Sequence, residues 1–113
     1  MGGVDRELKR GTLEMVLLKL LSVRQMYGYE LVSTLEKLGG PQFQLKEGTL
    51  YPVLYRLEDT GYIEARWETL GRGVPRKYYR LTTAGAEQLR VLVGDWRTFI
   101  EAVDRILGTE ELQ

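Results

Sequence analysis

EGTLYPVLYRL, residues 47–57, carries two patterns at once. Leu50, Val53, Leu54 and Leu57 fall at i, i+3, i+4 and i+7, which makes one apolar helical stripe. Pro52 sits among them, and proline breaks or kinks a helix interior. On a helical wheel the opposite side carries Gly48, Pro52 and Tyr55, flanked by Thr49, Tyr51 and Arg56, with no acid before Asp59. An ordinary solvated face mixes charges of both signs. The proline is tolerated at the helix start, because the first N–H groups have no helical partner. Two starts fit: near Gly48, with Pro52 at the edge of the free zone, or at Lys46 or Glu47, with one bond missing and a bent first turn.

The chain has 113 residues, a length that fits one domain, and 43% of them are apolar. No apolar run reaches the roughly 20 residues of a membrane helix. The start, MGGVDRELKR, lacks the apolar centre of a signal peptide. Arg6 stands where a myristoylation signal wants Ser or Thr. The expected location is cytoplasmic. There is no Cys and no His, which removes thiol chemistry, the commonest general base and the commonest transition-metal ligand. No paired-carboxylate constellation replaces them. The expectation is a binding protein rather than an enzyme, with no cofactor and no metal.

Formal charge is zero, from 16 basic and 16 acidic residues, but the charges are not evenly spread. Between Arg66 and Arg80 five basic residues face only Glu68, a local 5 − 1 = +4. From Thr83 onward three arginines face six acids, 3 − 6 = −3. A basic patch beside an acidic tail steers an anion.

Outward from the opening stretch, residues 12–25 repeat Leu13, Val16, Leu17, Leu20 and Leu21 at helical spacing, widened by Met15, Leu18 and Val23. This reads as a central helix with Thr12, after Gly11, as its N-cap. Gly28 interrupts, and 29–38 reads as a second helix facing inward with Leu31, Leu35 and Leu38, ended by Gly39, Gly40 and Pro41. QFQL, 42–45, fits a short strand or an extended linker. The third helix spans 47–60 and stops at Gly61. Two strands, starting at Tyr62 and ending in RKYYRLT, flank the turn LGRGVP as a hairpin. Tyr79 and Leu81 share the core face, and Tyr78 and Arg80 the other. Thr82 or Thr83 caps a long last helix that runs to about Leu107 and stops at Gly108.

Three helices, a hairpin and a helix are the order of a winged helix-turn-helix, a mainly α (α+β) fold. Residues 8–82 are expected to form the DNA-binding domain, 83–108 the C-terminal dimerisation helix and 109–113 a frayed tail. The third helix is then the recognition element. Gly48 lets its backbone approach DNA, Thr49 and the hydroxyls of Tyr51 and Tyr55 bond phosphates, Pro52 marks the exposed start, and Arg56 pairs with a phosphate or a guanine edge. Packing on the wing or the last helix is the other reading of Tyr51. Arg72, Arg76 and Lys77 surround the flexible wing tip as minor-groove and phosphate ligands. A winged-helix protein-interaction module without DNA binding is the alternative, against which the basic wing and acid-poor third helix argue.

In the last helix Leu89, Val93, Trp96, Ile100, Val103 and Leu107 are spaced 4, 3, 4, 3, 4, a heptad stripe. Leu92, Phe99 and Ile106 recur every seven residues and widen it. The three-helix core is supplied by its own stripes, so the surplus calls for the same helix of a second copy. A two-fold dimer would set two recognition helices against successive major grooves of an inverted-repeat operator. Trp96 reads either as an aromatic core residue or as the wall of a slot at the seam for a planar aromatic or cationic effector.

RGTLEMVLLKLL (10–21), YGYEL (27–31), KEGTLYPVLYRLEDTGYI (46–63) and GRGVPRKYYRLTTAG (71–85) resemble the PadR-like transcriptional regulators, over roughly residues 8 to 107. The single last helix looks like their short-tailed branch. The resemblance implies a bacterial, homodimeric winged-helix repressor of its own or a neighbouring detoxification or transport operon. It implies major-groove contacts at Thr49, Tyr51, Pro52, Tyr55 and Arg56, and minor-groove contacts at Arg72, Arg76 and Lys77. In multidrug-responsive members a tryptophan of the last helix lines a pore at the dimer seam, and Trp96 sits in the matching register.

Overall fold

A computed structural model describes the backbone of residues 2–69 and 71–112, and side chains from residue 11 onward within that range. The order is α1 (Gly2–Val23), β1 (Met26–Tyr27), α2 (Gly28–Gly39), a 3-10 turn (Gly40–Phe43), α3 (Glu47–Asp59), β2 (Ile63–Glu68), β3 (Arg76–Leu81) and α4 (Thr83–Leu107). This is the winged-helix order expected from the sequence. The leucine stripes build the centre: Leu13, Leu17 and Leu21 of α1, Leu31 and Leu35 of α2, and Leu50, Val53, Leu54 and Leu57 of α3 are buried together with Met26, Ile63 and Tyr79. Each such side chain contributes about 1.5–3 kcal/mol relative to an exposed one.

Several expectations are corrected. Helix α1 begins at Gly2, not at Thr12, so Gly11 and Thr12 lie inside a helix and Thr12 is no N-cap. Residues 42–45 are neither strand nor wholly extended, because Gln42 and Phe43 close the 3-10 turn. Gly40, at φ 65°, takes a positive-φ conformation that suits glycine and ends α2. Leu38 is 73% exposed and Val23 68%, since both sit at helix ends beyond the packed stripe. Tyr78 is buried although it lies off the core face, because Tyr27 packs edge-on against it at 5.4 Å between ring centroids.

The sheet has three strands, in the order β1-β3-β2, rather than two. Strand β1 pairs Met26 with Tyr79 and Tyr27 with Tyr78. A two-residue strand has no period to read, so the pairing was invisible in the sequence. Strands β2 and β3 form the expected hairpin, with Ile63 opposite Leu81 and Glu68 opposite Arg76. Of its turn LGRGVP, Leu70 lies outside the described residues.

Helix α4 is hung from the end of α3. The Thr82 N–H donates to the Tyr62 carbonyl at 3.1 Å, and the Thr82 hydroxyl donates to the Gly61 carbonyl at 2.6 Å. The same hydroxyl oxygen accepts from the Gly85 N–H at 3.0 Å and so caps the helix. Leu89 and Leu92 touch the core, and the helix then runs on past it. No helix among the described residues is long and apolar enough to cross a membrane.

Candidate nucleic-acid interface

Helix α3 starts at Glu47 with Lys46 as N-cap, so Pro52 is past the first turn and one ladder bond is absent. The carbonyl that loses its donor belongs to Gly48, which is exposed and therefore open to water. The stripe resolves as expected: Leu50, Val53, Leu54 and Leu57 are buried, while Gly48, Thr49, Pro52 and Tyr55 are exposed on the other side. A methyl added at Gly48 would meet nothing within 4 Å, so the backbone there is free to approach a ligand.

Tyr51 serves the fold and the face together. It is half-buried, its ring lies 6.0 Å from that of Tyr55, and its hydroxyl packs on the start of α2. A Cβ at Gly28 would fall 2.3 Å from that hydroxyl, so a larger residue there would have to push the Tyr51 ring aside. Arg56 turns away from the outer face. Its Nε and Nη2 donate to Glu14 Oε1 at 2.9 and 2.6 Å, tying α3 to α1. A long side chain at the border of the stripe reaches whichever partner the neighbouring helix offers.

The wing's charge is less free than its composition suggests. Cross-strand register sets Glu64 opposite Arg80, and the two form an ion pair. Arg66 lies 3.7 Å from Glu68, and Lys77 Nζ lies 3.3 Å from Glu58 of α3. Among the described residues, the two wing arginines without an acidic partner are Arg72 and Arg76. Arg72 is exposed at the tip. Arg76 stacks 4.5 Å over the Tyr27 ring and donates to its hydroxyl at 3.0 Å.

Between α3, the start of α2 and the wing these groups enclose a cavity of about 360 Å³. Tyr27, Tyr51, Tyr55, Trp67, Arg76, Lys77 and Tyr79 line it. Lys77 Nζ is 5.5 Å from the Tyr55 ring and 5.4 Å from the Tyr79 ring. Burial opposes its charge, but Tyr79 and Glu58 outweigh that and hold the ammonium above its usual pKa. Tyr79 is 1% exposed, and among the described residues its buried hydroxyl finds no acceptor, while the Lys77 ammonium lies beside it. Burial pushes that phenol up, with Lys77 pulling the other way. Sequence reasoning assigned Tyr79 to the core and missed Tyr27, Trp67 and Glu58 altogether. Trp67 opposite Lys77 in the hairpin register was a legible hint, while nothing in the sequence linked Glu58 to the wing.

A second concavity, about 800 Å³, lies between α1 and α4 and is lined by Met15, Val16, Leu89, Val93, Trp96 and Ile100, among others. Beyond it Phe99, Ile106 and Leu107 are 57%, 72% and 76% exposed, and Trp96 itself 39%. Val103 is only partly covered.

Comparison with known proteins agrees with this architecture. The model of the transcriptional regulator PadR-like family matches residues 17–91. A Lysinibacillus sphaericus protein of unassigned function is 38% identical over 101 residues, 89% of this chain and 93% of that protein. The negative transcriptional regulator PadR of Bacillus subtilis is 31% identical over 74% of this chain, which spans only 44% of that longer protein. A crystal structure of a PadR-family regulator from Eggerthella lenta superposes with a TM-score of 0.81 at 38% identity, covering 92% of this chain and 88% of that one. A PadR-like regulator from Bacillus cereus also gives 0.81, at 35% identity, covering 92% and 99% of the two chains. The stripe-and-proline helix, the hairpin beside it and the long last helix are thus the frame of transcriptional regulators rather than of enzymes, and the chain belongs to the PadR-like family.

Proposed function

We propose that the protein is a homodimeric DNA-binding transcriptional regulator that represses its own or a neighbouring operon. The observation that carries this reading is one continuous surface. The exposed face of α3 runs from Gly48 to Tyr55, and at its end Tyr51 and Tyr55 line one cavity with the wing side chains Trp67, Arg76 and Lys77. Gly48, Thr49, Pro52 and Tyr55 enter the major groove, and Tyr51 supports Tyr55 while offering its hydroxyl. Arg72 and Arg76 reach the backbone or minor groove, and Arg56 acts from behind by fixing α3 on α1 through Glu14. The repressor role is supported by the Bacillus subtilis relative, which is described as a negative regulator.

Dimerisation uses α4. Leu89, Leu92, Val93, Trp96, Phe99, Ile100, Val103 and Leu107 form the face, with Ile106 beside it, and none of them is buried within one protomer. The partner's helix covers this face and holds the two α3 helices one turn of DNA apart, suited to an inverted repeat. A planar aromatic effector stacking on Trp96 at the seam shifts the population between two dimer geometries and releases the operator. Binding of the full chain to the DNA upstream of its own gene, measured across a salt series, tests the proposal. Nanomolar-range binding that weakens steeply with salt is expected, and no binding at low salt would sink it. For the effector, quenching of Trp96 by a panel of planar dyes is expected in a Trp67→Phe background; silence across the panel removes the seam site.

A further inference from the structure

We infer that the cavity between α2, α3 and the wing is a seat for one backbone phosphate of the bound duplex, and that Glu58 occupies its lysine while DNA is absent; this rests on the DNA-binding reading above. Three observations converge. The first is a supply of donors without enough acceptors. Arg76 and Lys77 enter the cavity beside the hydroxyls of Tyr27 and Tyr51. The second is position. The cavity opens between the face of α3 and the wing, where a strand-borne phosphate passes if α3 lies in the major groove. The third is the partner of Lys77. Its only acidic contact among the described residues is Glu58 Oε1 at 3.3 Å, and both side chains are about one-third exposed, at 29% and 34%. So exposed a pair is weak, on the order of 0–1 kcal/mol, and exchanges readily for a phosphodiester that brings further donors into use.

The seat thus differs from the wing tip in kind. Arg72 is free at all times, whereas Lys77 is released only when a phosphate displaces a carboxylate. Glu58 then acts as a brake on DNA affinity, set inside the interface.

Equilibrium binding of the full chain to its upstream DNA, across a salt series with melting curves as the folding control, tests this. Lys77→Gln is expected to weaken binding about ten-fold at low salt and to lower the salt slope by about one. Glu58→Gln, an isosteric change, is expected to tighten binding by up to about five-fold in the wild-type background and to do nothing in the Lys77→Gln background. An unchanged slope in Lys77→Gln overturns the seat, and an equal gain from Glu58→Gln in both backgrounds overturns the brake, since it marks only a general loss of negative charge. Without DNA, millimolar inorganic phosphate is expected to leave the melting temperatures of wild type and Lys77→Gln equally shifted, because one free anion lacks the rest of the strand to hold it in place; selective stabilisation of wild type assigns the cavity to a free anion and overturns the strand-borne reading. Wild-type protein that binds no duplex at low salt refutes the DNA reading itself, an outcome distinct from all of these.

Discussion

At the scale of single residues, close approach decides more than residue class. Gly85 and Gly11 are both helical glycines, yet a Cβ on Gly85 would fall 1.9 Å from the Tyr62 carbonyl oxygen, and one on Gly11 would meet nothing within 4 Å. Gly85→Ala must therefore push α4 off the end of α3, a cost of about 2–3 kcal/mol, while Gly11→Ala should gain about 0.5–1 kcal/mol from helix propensity. Urea melts of the two variants check both signs, and equal midpoints would contradict the contact. Tyr79 and Lys77 make a second residue-scale expectation. Both folded-state pKa values are raised, so both groups bind protons more tightly in the folded chain. Their stabilising contribution is full below about pH 10 and is lost as pH rises through the raised values. Melting temperature should fall on alkaline titration above about pH 10, and less steeply in Tyr79→Phe. Parallel curves for wild type and variant would exclude Tyr79 as a contributor.

At the scale of elements, α3 and α4 solve different problems with the same periodicity. Helix α3 buries its whole stripe and leaves the other face for a ligand. Helix α4 buries only Gly85 outright, and its heptad residues remain partly or largely open. Phe99 is 57% exposed, so Phe99→Glu should cost the isolated protomer little, on the order of 0.5 kcal/mol. In the proposed dimer the same change buries an unpaired charge at the seam. Sedimentation velocity should then report a folded monomer, and operator affinity should drop about 100-fold or more as the two half-sites are no longer read together. A variant that stays dimeric would place the interface elsewhere.

At the scale of the whole molecule, shape points the same way as exposure. The radius of gyration is 16.7 Å and the extents are 68 × 29 × 22 Å. A compact domain of this length has a radius near 13 Å, so the protomer is drawn out. The 25 residues of α4 account for a rod about 37 Å long, mostly beyond the core. Charge is likewise a property of the assembled surface. The wing's +4 by composition shrinks once Glu64 and Glu58 are brought against Arg80 and Lys77, leaving Arg72 and Arg76 as the wing cations without an acidic partner among the described residues. Arg76→Ala should weaken operator binding and make the salt slope shallower by about one with the dimer intact. An unchanged slope would remove Arg76 from the interface.

The leucine stripes, an N-cap at Thr82 or Thr83, the hairpin and the heptad face were legible in the sequence because each depends on residues a few positions apart, whose spacing alone sets the face they share. The outer face of α3 was legible for the same reason, whereas the proline allowed two helix starts, and the structure takes the one that costs a hydrogen bond. What lay beyond reach were the long-distance pairings. Met26 and Tyr27 become a strand only because β3 arrives beside them. Arg56 turns inward only because Glu14, 42 positions earlier, is presented by α1. Lys77 meets Glu58, and Tyr79 is left without an acceptor, only once the wing folds over α3. Local spacing determined which side of each helix faces in; tertiary packing alone decided which charges are spent inside the molecule and which remain for DNA, because ion pairs form between neighbours in space.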